Sequence, residues 1–407
     1  MSWKLHTPEG TGDILTAEYD LKSRTIRAIQ TVFCGFGYQQ VQTPVLEFYD
    51  VFSAGAAKID QQTMFKFFDE EGRIVVLRPD MTTPVARMVA TKLKDAPRPL
   101  RLCYTGSTFR NERGLNGDKQ REFTQSGVEL LGESSPEADA EVIAITISCL
   151  RAVGRIDFQI DIGQVEFFKG LAEQIGLNQE ETEKLRAMVD VKNSLAIKEL
   201  VEAYDAPDRV KQIAVSLPSL FGDEALLDEI DTGCLNERPK AALRYLKEVI
   251  GILKDYGMDD VICIDLGMVQ SLNYYTGVIF KGFTRTVGYP VCGGGRYDKL
   301  CGEFGEPCAA TGVSIGIDRL VNALLRSGAP TGCKAADYLV CWNAGCRKKA
   351  FDVCTRYRNE GKVVLCYLGD GETNGAVQYA KTRGIPAVIS VSNDNIAFVY
   401  TSMEVQK

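Results

Sequence analysis

Apolar positions near the start of the chain recur at helical spacing and then change to alternation. Leu21, Ala28, Ile29, Val32 and Phe33 share one face of a helix predicted over residues 16–35, and Gly35-Phe36-Gly37 ends it. Tyr38 to Val41 reads as a short strand closing at Thr43-Pro44. Met64 to Phe68 and Ile74 to Leu77 predict two strands joined by a turn at Asp69-Glu70-Glu71-Gly72. A helix is expected from Thr82 to Leu93, then strands over Leu100 to Thr108 and Arg121 to Leu131. The polar segment Asn111 to Gln120 between them holds Gly114 and Gly117 and predicts a long mobile loop. Ser135 and Pro136 supply an N-cap and a first helical residue for a helix to about Arg151, and Phe158 to Ile162 is another strand.

From about residue 166 to 256 the strand pattern stops, and Lys, Glu, Leu and Ala recur with helical periods, as in a helical insertion between strands of a sheet. Strands return at 260–268 and 276–285, a glycine-rich turn is expected at 293–295, and a helix begins near Asp318. Ser327-Gly328-Ala329-Pro330-Thr331-Gly332 marks a linker. Beyond it, strand (338–342), helix (346–359), strand (363–367), helix (373–383) and strand (387–391) alternate, which predicts a small parallel α/β domain.

Composition adds exclusions. No apolar run reaches membrane-spanning length, and the first residues lack the apolar core of a signal peptide, so a cytoplasmic protein without membrane association is expected. The 13 cysteines are scattered among mostly apolar neighbours without a CxxC pair, which favours buried reduced thiols over disulfides or zinc. A net charge of −7 argues against a broad phosphate-binding surface. The single histidine, His6, reads as a surface or capping residue and leaves little room for histidine-based acid–base, triad or metal chemistry. The basic cluster Arg347, Lys348, Lys349, Arg356 and Arg358 fits a solvated helix face as well as an RNA patch.

Candidate chemistry starts on the strand Arg121 to Glu129. Alternation puts Arg121, Gln125 and Glu129 on one face, with Gly127 leaving room above the sheet. A solvent-exposed sheet face would look similar, but the adjoining Phe109-Arg110-Asn111-Glu112 changes the picture. That run, the polar loop, Gln125 and Glu129 together resemble motif two of the class II aminoacyl-tRNA synthetases in its histidyl form. Gly37 through Pro44 resembles motif one, with Pro44 at the dimer-interface proline, and Gly312 through Leu320 resembles motif three. Tyr274-Tyr275-Thr276-Gly277 and Cys292-Gly293-Gly294-Gly295-Arg296-Tyr297-Asp298 resemble the two histidine signatures. These matches run in family order over residues 1 to about 325.

The resemblance implies an α+β fold: a class II synthetase-like antiparallel sheet flanked by helices over residues 1–326, with the helical insertion at about 166–256. Residues 333–407 then resemble a shortened anticodon-binding domain. It also implies a histidine site. Asp80, Thr82 and Gln125 would hold the α-ammonium, and Glu129 and Tyr275 the imidazole nitrogens, with Arg110 and Tyr274 beside them. Arg110, Glu112 and Arg319 would form a vestigial ATP site.

One departure shifts the reading from catalysis to sensing. Gln270 stands where the synthetases carry an arginine that helps form the adenylate, with Ser271 and Asn273 in place of Gly and Asp. Losing a preorganised cation of this kind costs on the order of 10²–10³ in rate. Leu77-Arg78-Pro79-Asp80-Met81-Thr82 is similar to the corresponding run of the ATP phosphoribosyltransferase regulatory subunits, a paralogous family in histidine biosynthesis. That family implies a non-catalytic regulator without cofactor, metal or tRNA. It implies a dimer joined to a short-form catalytic subunit in a hetero-octamer, with histidine as effector in this pocket or at a subunit interface. The chain shows no Gly-rich Lys-Ser/Thr phosphate loop and no acidic pair followed by Gly and Thr, so transferase chemistry is expected on the partner. The alternative is an active histidyl-tRNA synthetase.

Overall fold

The computed structural model describes residues 3–53, 55, 58–111, 120–269, 274–332, 336–369 and 372–402. The chain divides into two compact units, Met1–Pro330 and Thr331–Lys407.

The larger unit is built on a nine-stranded sheet. Its strands in chain order are β1 (Gln39–Gln40), β2 (Leu100–Phe109), β3 (Glu122–Leu131), β4 (Phe158–Gln164), β5 (Phe221–Gly222), β6 (Ile262–Asp265), β7 (Val278–Thr284), β8 (Cys292–Arg296) and β9 (Ala310–Gly316). They lie side by side as β1-β2-β3-β9-β8-β7-β4-β6-β5. The six strands from β2 to β4 in that order pair antiparallel throughout. Alternation sends Val128, Leu130, Val313, Ile315, Phe280 and Ile162 to one face, in a single core with residues of helices Thr16–Gly35, Pro136–Ala152 and Ile317–Arg326. The opposite face carries Gln125 and Glu129.

The expected turn at 293–295 is instead the central strand β8. Glycine is a poor strand former, but here the sheet requires it: a Cβ on Gly294 would lie 2.7 Å from the Phe280 ring and overlap Gly312 O. The helical insertion contains helices Val165–Ile175, Gln179–Asp190, Ser194–Glu202, Asp208–Ser216 and Glu237–Asp255. It is not wholly helical, because β5 returns from it to pair antiparallel with β6. Ser135 sits at the predicted N-cap, yet its side chain makes no capping bond. Leu46–Phe48, Ile74–Leu77 and Lys66–Phe68 form a separate three-stranded sheet.

In the smaller unit, strands Val364–Cys366, Tyr338–Trp342 and Ala387–Val391 are parallel, as their alternation with helices predicts. A further strand, Ile396–Thr401, adds antiparallel to Ala387–Val391, so the sheet is mixed. Helices Arg347–Asn359 and Thr373–Thr382 pack on opposite faces. Two basic residues of the first helix are engaged within the unit: Lys349 Nζ donates to Ser392 O and Asn393 O, and Arg358 to Val364 O.

Among the described residues there is no disulfide, and no helix is long and apolar enough to cross a membrane.

Candidate functional site

The site is built around Glu129, which lies 1% exposed on β3 opposite Gly312 of β9. A Cβ on Gly312 would overlap the Glu129 carboxylate, and one on Gly127 would lie 2.5 Å from Tyr104 Oη. Both strands therefore give up side chains where polar groups need the space. Hydroxyls surround the carboxyl. Tyr104 Oη donates to Glu129 Oε1 at 3.2 Å, Tyr297 Oη donates to Oε2, and the Thr82 hydroxyl bonds to the same group. These elements come from far apart in sequence: Tyr104 from β2, Thr82 from the start of helix Thr82–Lys92, and Tyr297 from just beyond β8.

Burial pushes the Glu129 carboxyl up to about 8, even though the three hydroxyl bonds pull it down. Burial also raises the hydroxyls of Tyr104, Tyr274, Tyr297 and Tyr275, and the charge of Glu129 adds to it in each case, so all four remain protonated. The Tyr274 ring stacks on Tyr297 at 5.5 Å and meets Tyr275 edge-on at 4.9 Å. Tyr275 closes the far side, its ring edge 3.0 Å from where a Cβ of Gly295 would stand.

Asp80 lies near enough to Glu129 for its charge to oppose ionisation there. Its carboxylate accepts from Thr83 N at 2.8 Å and from Thr83 Oγ1 at 3.1 Å, which fixes it at the helix N-terminus. Burial raises the Asp80 carboxyl, against the pull of the Thr83 bonds and the Arg110 charge. Arg110 packs 5.7 Å over the Phe123 ring. Gln125 occupies the same sheet face as Glu129, and its Oε1 is shielded from solvent without a hydrogen-bond partner.

Asp80, Thr82, Glu129, Tyr274 and Tyr275 are thus brought together, with Arg110 beside Asp80 and Gln125 further along β3. The Arg319 side chain runs beside Gly316, the residue paired with Gln125. It packs 5.1 Å over the Tyr289 ring, donates to Pro290 O at 3.1 Å and lines a cleft of about 620 Å³ shared with Phe123, Lys22 and Asp318. Gln270, Ser271, Asn273 and Glu112 lie outside the described residues.

Two important residues escape the sequence reading of the pocket. Tyr104 shows only as an apolar strand position; its signal is that the pairing of β2 with β3 sets it opposite Gly127. Tyr297 belongs to the recognised Arg296-Tyr297-Asp298 run, and it alone of the three reaches Glu129. Arg296 is a buried strut, bonded to Asp139 at 3.0 Å and to Asp298 at 3.2 Å, while Asp298 accepts from Thr276 Oγ1 at 3.0 Å. Among the described residues no His, Cys, Asp and Glu cluster could hold a metal ion.

A family model described as histidyl-tRNA synthetase matches residues 10–320. The chain is 49% identical over 392 residues to the ATP phosphoribosyltransferase regulatory subunit of Acetivibrio thermocellus, covering 96% of this chain and 94% of that one. It is 41% identical over 399 residues to the subunit of the same name in Ruminiclostridium cellulolyticum, covering 98% and 95%. This chain belongs to the ATP phosphoribosyltransferase regulatory subunit family. A crystal structure of an ATP phosphoribosyltransferase regulatory subunit/histidyl-tRNA synthetase from Bacillus halodurans aligns with a TM-score of 0.84 at 32% identity, covering 97% of this chain and all of that one. Histidyl-tRNA synthetase from Nostoc shares the fold alone, with a TM-score of 0.83 at 23% identity over 97% of each chain. The regulatory-subunit family is non-catalytic, and kinship puts this chain with it rather than with the active synthetases.

Proposed function

We propose that this chain is a cytoplasmic histidine sensor. It activates a short-form ATP phosphoribosyltransferase catalytic subunit and conveys feedback inhibition to it. The observation that carries this reading is a buried carboxyl, Glu129, with the half-buried carboxyl of Asp80 beside it, both held toward their neutral forms by loss of solvent. Such a pocket is stabilised by a ligand that brings positive charge and N–H donors into it. Histidine brings an ammonium and an imidazole. Glu129 and Tyr275 take the ring nitrogens, while Asp80, Thr82 and Gln125 take the ammonium, with Arg110 and Tyr274 completing the wall. Arg110, Glu112 and Arg319 are a remnant of an ATP site, and Gln270 leaves adenylate formation without its cation. No tRNA is bound.

The effect on the partner follows from linkage. If histidine favours the inhibited arrangement of a hetero-octamer, that arrangement must favour histidine by the same factor. Calorimetric titration of histidine tests the pocket. Glu129→Ala and Tyr275→Phe should each weaken binding by about tenfold or more, the cost of a hydrogen bond to a charged ligand. Unchanged affinity in both variants would move the histidine site elsewhere.

A further inference from the structure

Ser314 of β9 stands directly across from Gly127 of β3 and from Gly293 of β8. Its side chain therefore shares the face of Gln125 and Glu129. Its neighbours on that face are glycines, Gly127 on β3, Gly293 and Gly295 on β8 and Gly312 on β9 itself, with the stem of Lys281 beyond Gly293. The groups described above surround this part of the face. Tyr104 Oη lies over Gly127, the Glu129 carboxyl over Gly312, and the Tyr275 ring edge over Gly295. On a floor cleared by glycines, the Ser314 hydroxyl is shielded from solvent and has no hydrogen-bond partner. Gln125 Oε1, two residue pairs along the strands, is in the same condition. Buried polar atoms without partners destabilise a fold, and a site that must bond a ligand is a reason to keep two of them together.

We infer that Ser314 is a specificity-determining residue of this pocket, donating its hydroxyl hydrogen to the α-carboxylate of the bound amino acid while Gln125 Oε1 accepts from the α-ammonium. Donor and acceptor follow from the groups themselves. An amide oxygen can only accept, so it suits the ammonium. A carboxylate needs a donor, and the serine hydroxyl is one. The inference rests on reading the Glu129 pocket as an amino-acid site, and it adds the means by which an amino acid is told from its decarboxylated amine.

Calorimetric titration of histidine and of histamine, which keeps the ring and the amine but lacks the carboxylate, tests it. Ser314→Ala should weaken histidine about tenfold and leave histamine unchanged. The unliganded variant should melt no lower than wild type, because the hydroxyl it loses supports nothing in the empty pocket. Ser314→Gly should weaken histidine and spare histamine in the same way, while melting lower than Ser314→Ala because glycine loosens a strand interior. Unchanged histidine affinity in both variants, or equal weakening of the two ligands, would overturn the inference while leaving the pocket assignment intact. Wild-type protein that binds no histidine would overturn the pocket reading and this inference with it.

Discussion

A carboxyl group enclosed away from water holds its proton to higher pH than the same group on an unfolded chain. Glu129 is in that position, raised by burial from 4.5 to about 8. Between those values the unfolded chain releases a proton that the folded pocket retains. Its contribution to stability is therefore fully present below about 4.5, falls as pH rises, and is gone above about 8. Glutamine keeps the shape of the neutral carboxyl and cannot ionise. The melting temperature of the unliganded wild type should therefore fall more steeply between pH 5 and 8 than that of Glu129→Gln, by calorimetry in matched buffers. Parallel curves would show that Glu129 is not the buried acid described here. Much of this residue-level picture is legible in the sequence: Asp80, Thr82, Glu129, Tyr274 and Tyr275 converge as their motifs imply. Tyr104 and Tyr297 are harder to see, because a tyrosine whose hydroxyl serves a buried carboxylate looks, in one dimension, like any large core residue.

At the scale of elements, periodicity finds the long helices and the paired strands β2 and β3 with little error at their ends. It fails where tertiary demands override local preference. Residues 293–295, within strand Cys292–Arg296, read as a turn because glycine is a poor strand former, yet the close approach of β9 and Phe280 admits nothing larger at Gly294. The two-residue β5 and the edge strand Ile396–Thr401 are too short or too exposed to leave a clear pattern. The three-stranded sheet next to Pro44 bears on assembly. Its register aligns Leu46, Phe48 and Phe67 on one face, and they are 53%, 46% and 46% exposed. We expect this face to meet its counterpart in a dimer, since apolar side chains are buried by association at little cost. Sedimentation should give a dimer for wild type and a monomer for the Leu46→Glu, Phe67→Glu double variant. A dimer that survives both changes would place the interface on another surface.

For the whole molecule, motif order along the sequence already implies the sheet and its helical flank, because each motif supplies a strand or a strand end, and the linker at 327–332 with the alternation beyond it implies the separate small unit. What one dimension does not convey is how completely the sheet face over Gly127, Gly312 and Gly295 is cleared, or how Arg296, Asp139 and Asp298 brace the tyrosine wall from behind. Those features turn a set of motifs into an enclosed pocket around Glu129. The central claim is that histidine held at Glu129 controls a catalytic chain elsewhere in the assembly. The most direct test measures phosphoribosyl transfer by a short-form catalytic subunit reconstituted with this protein, over increasing histidine. Wild-type and Glu129→Ala proteins should both activate the partner, and only the wild-type complex should then be inhibited by histidine. Equal inhibition of both complexes at the same histidine concentrations would contradict that claim.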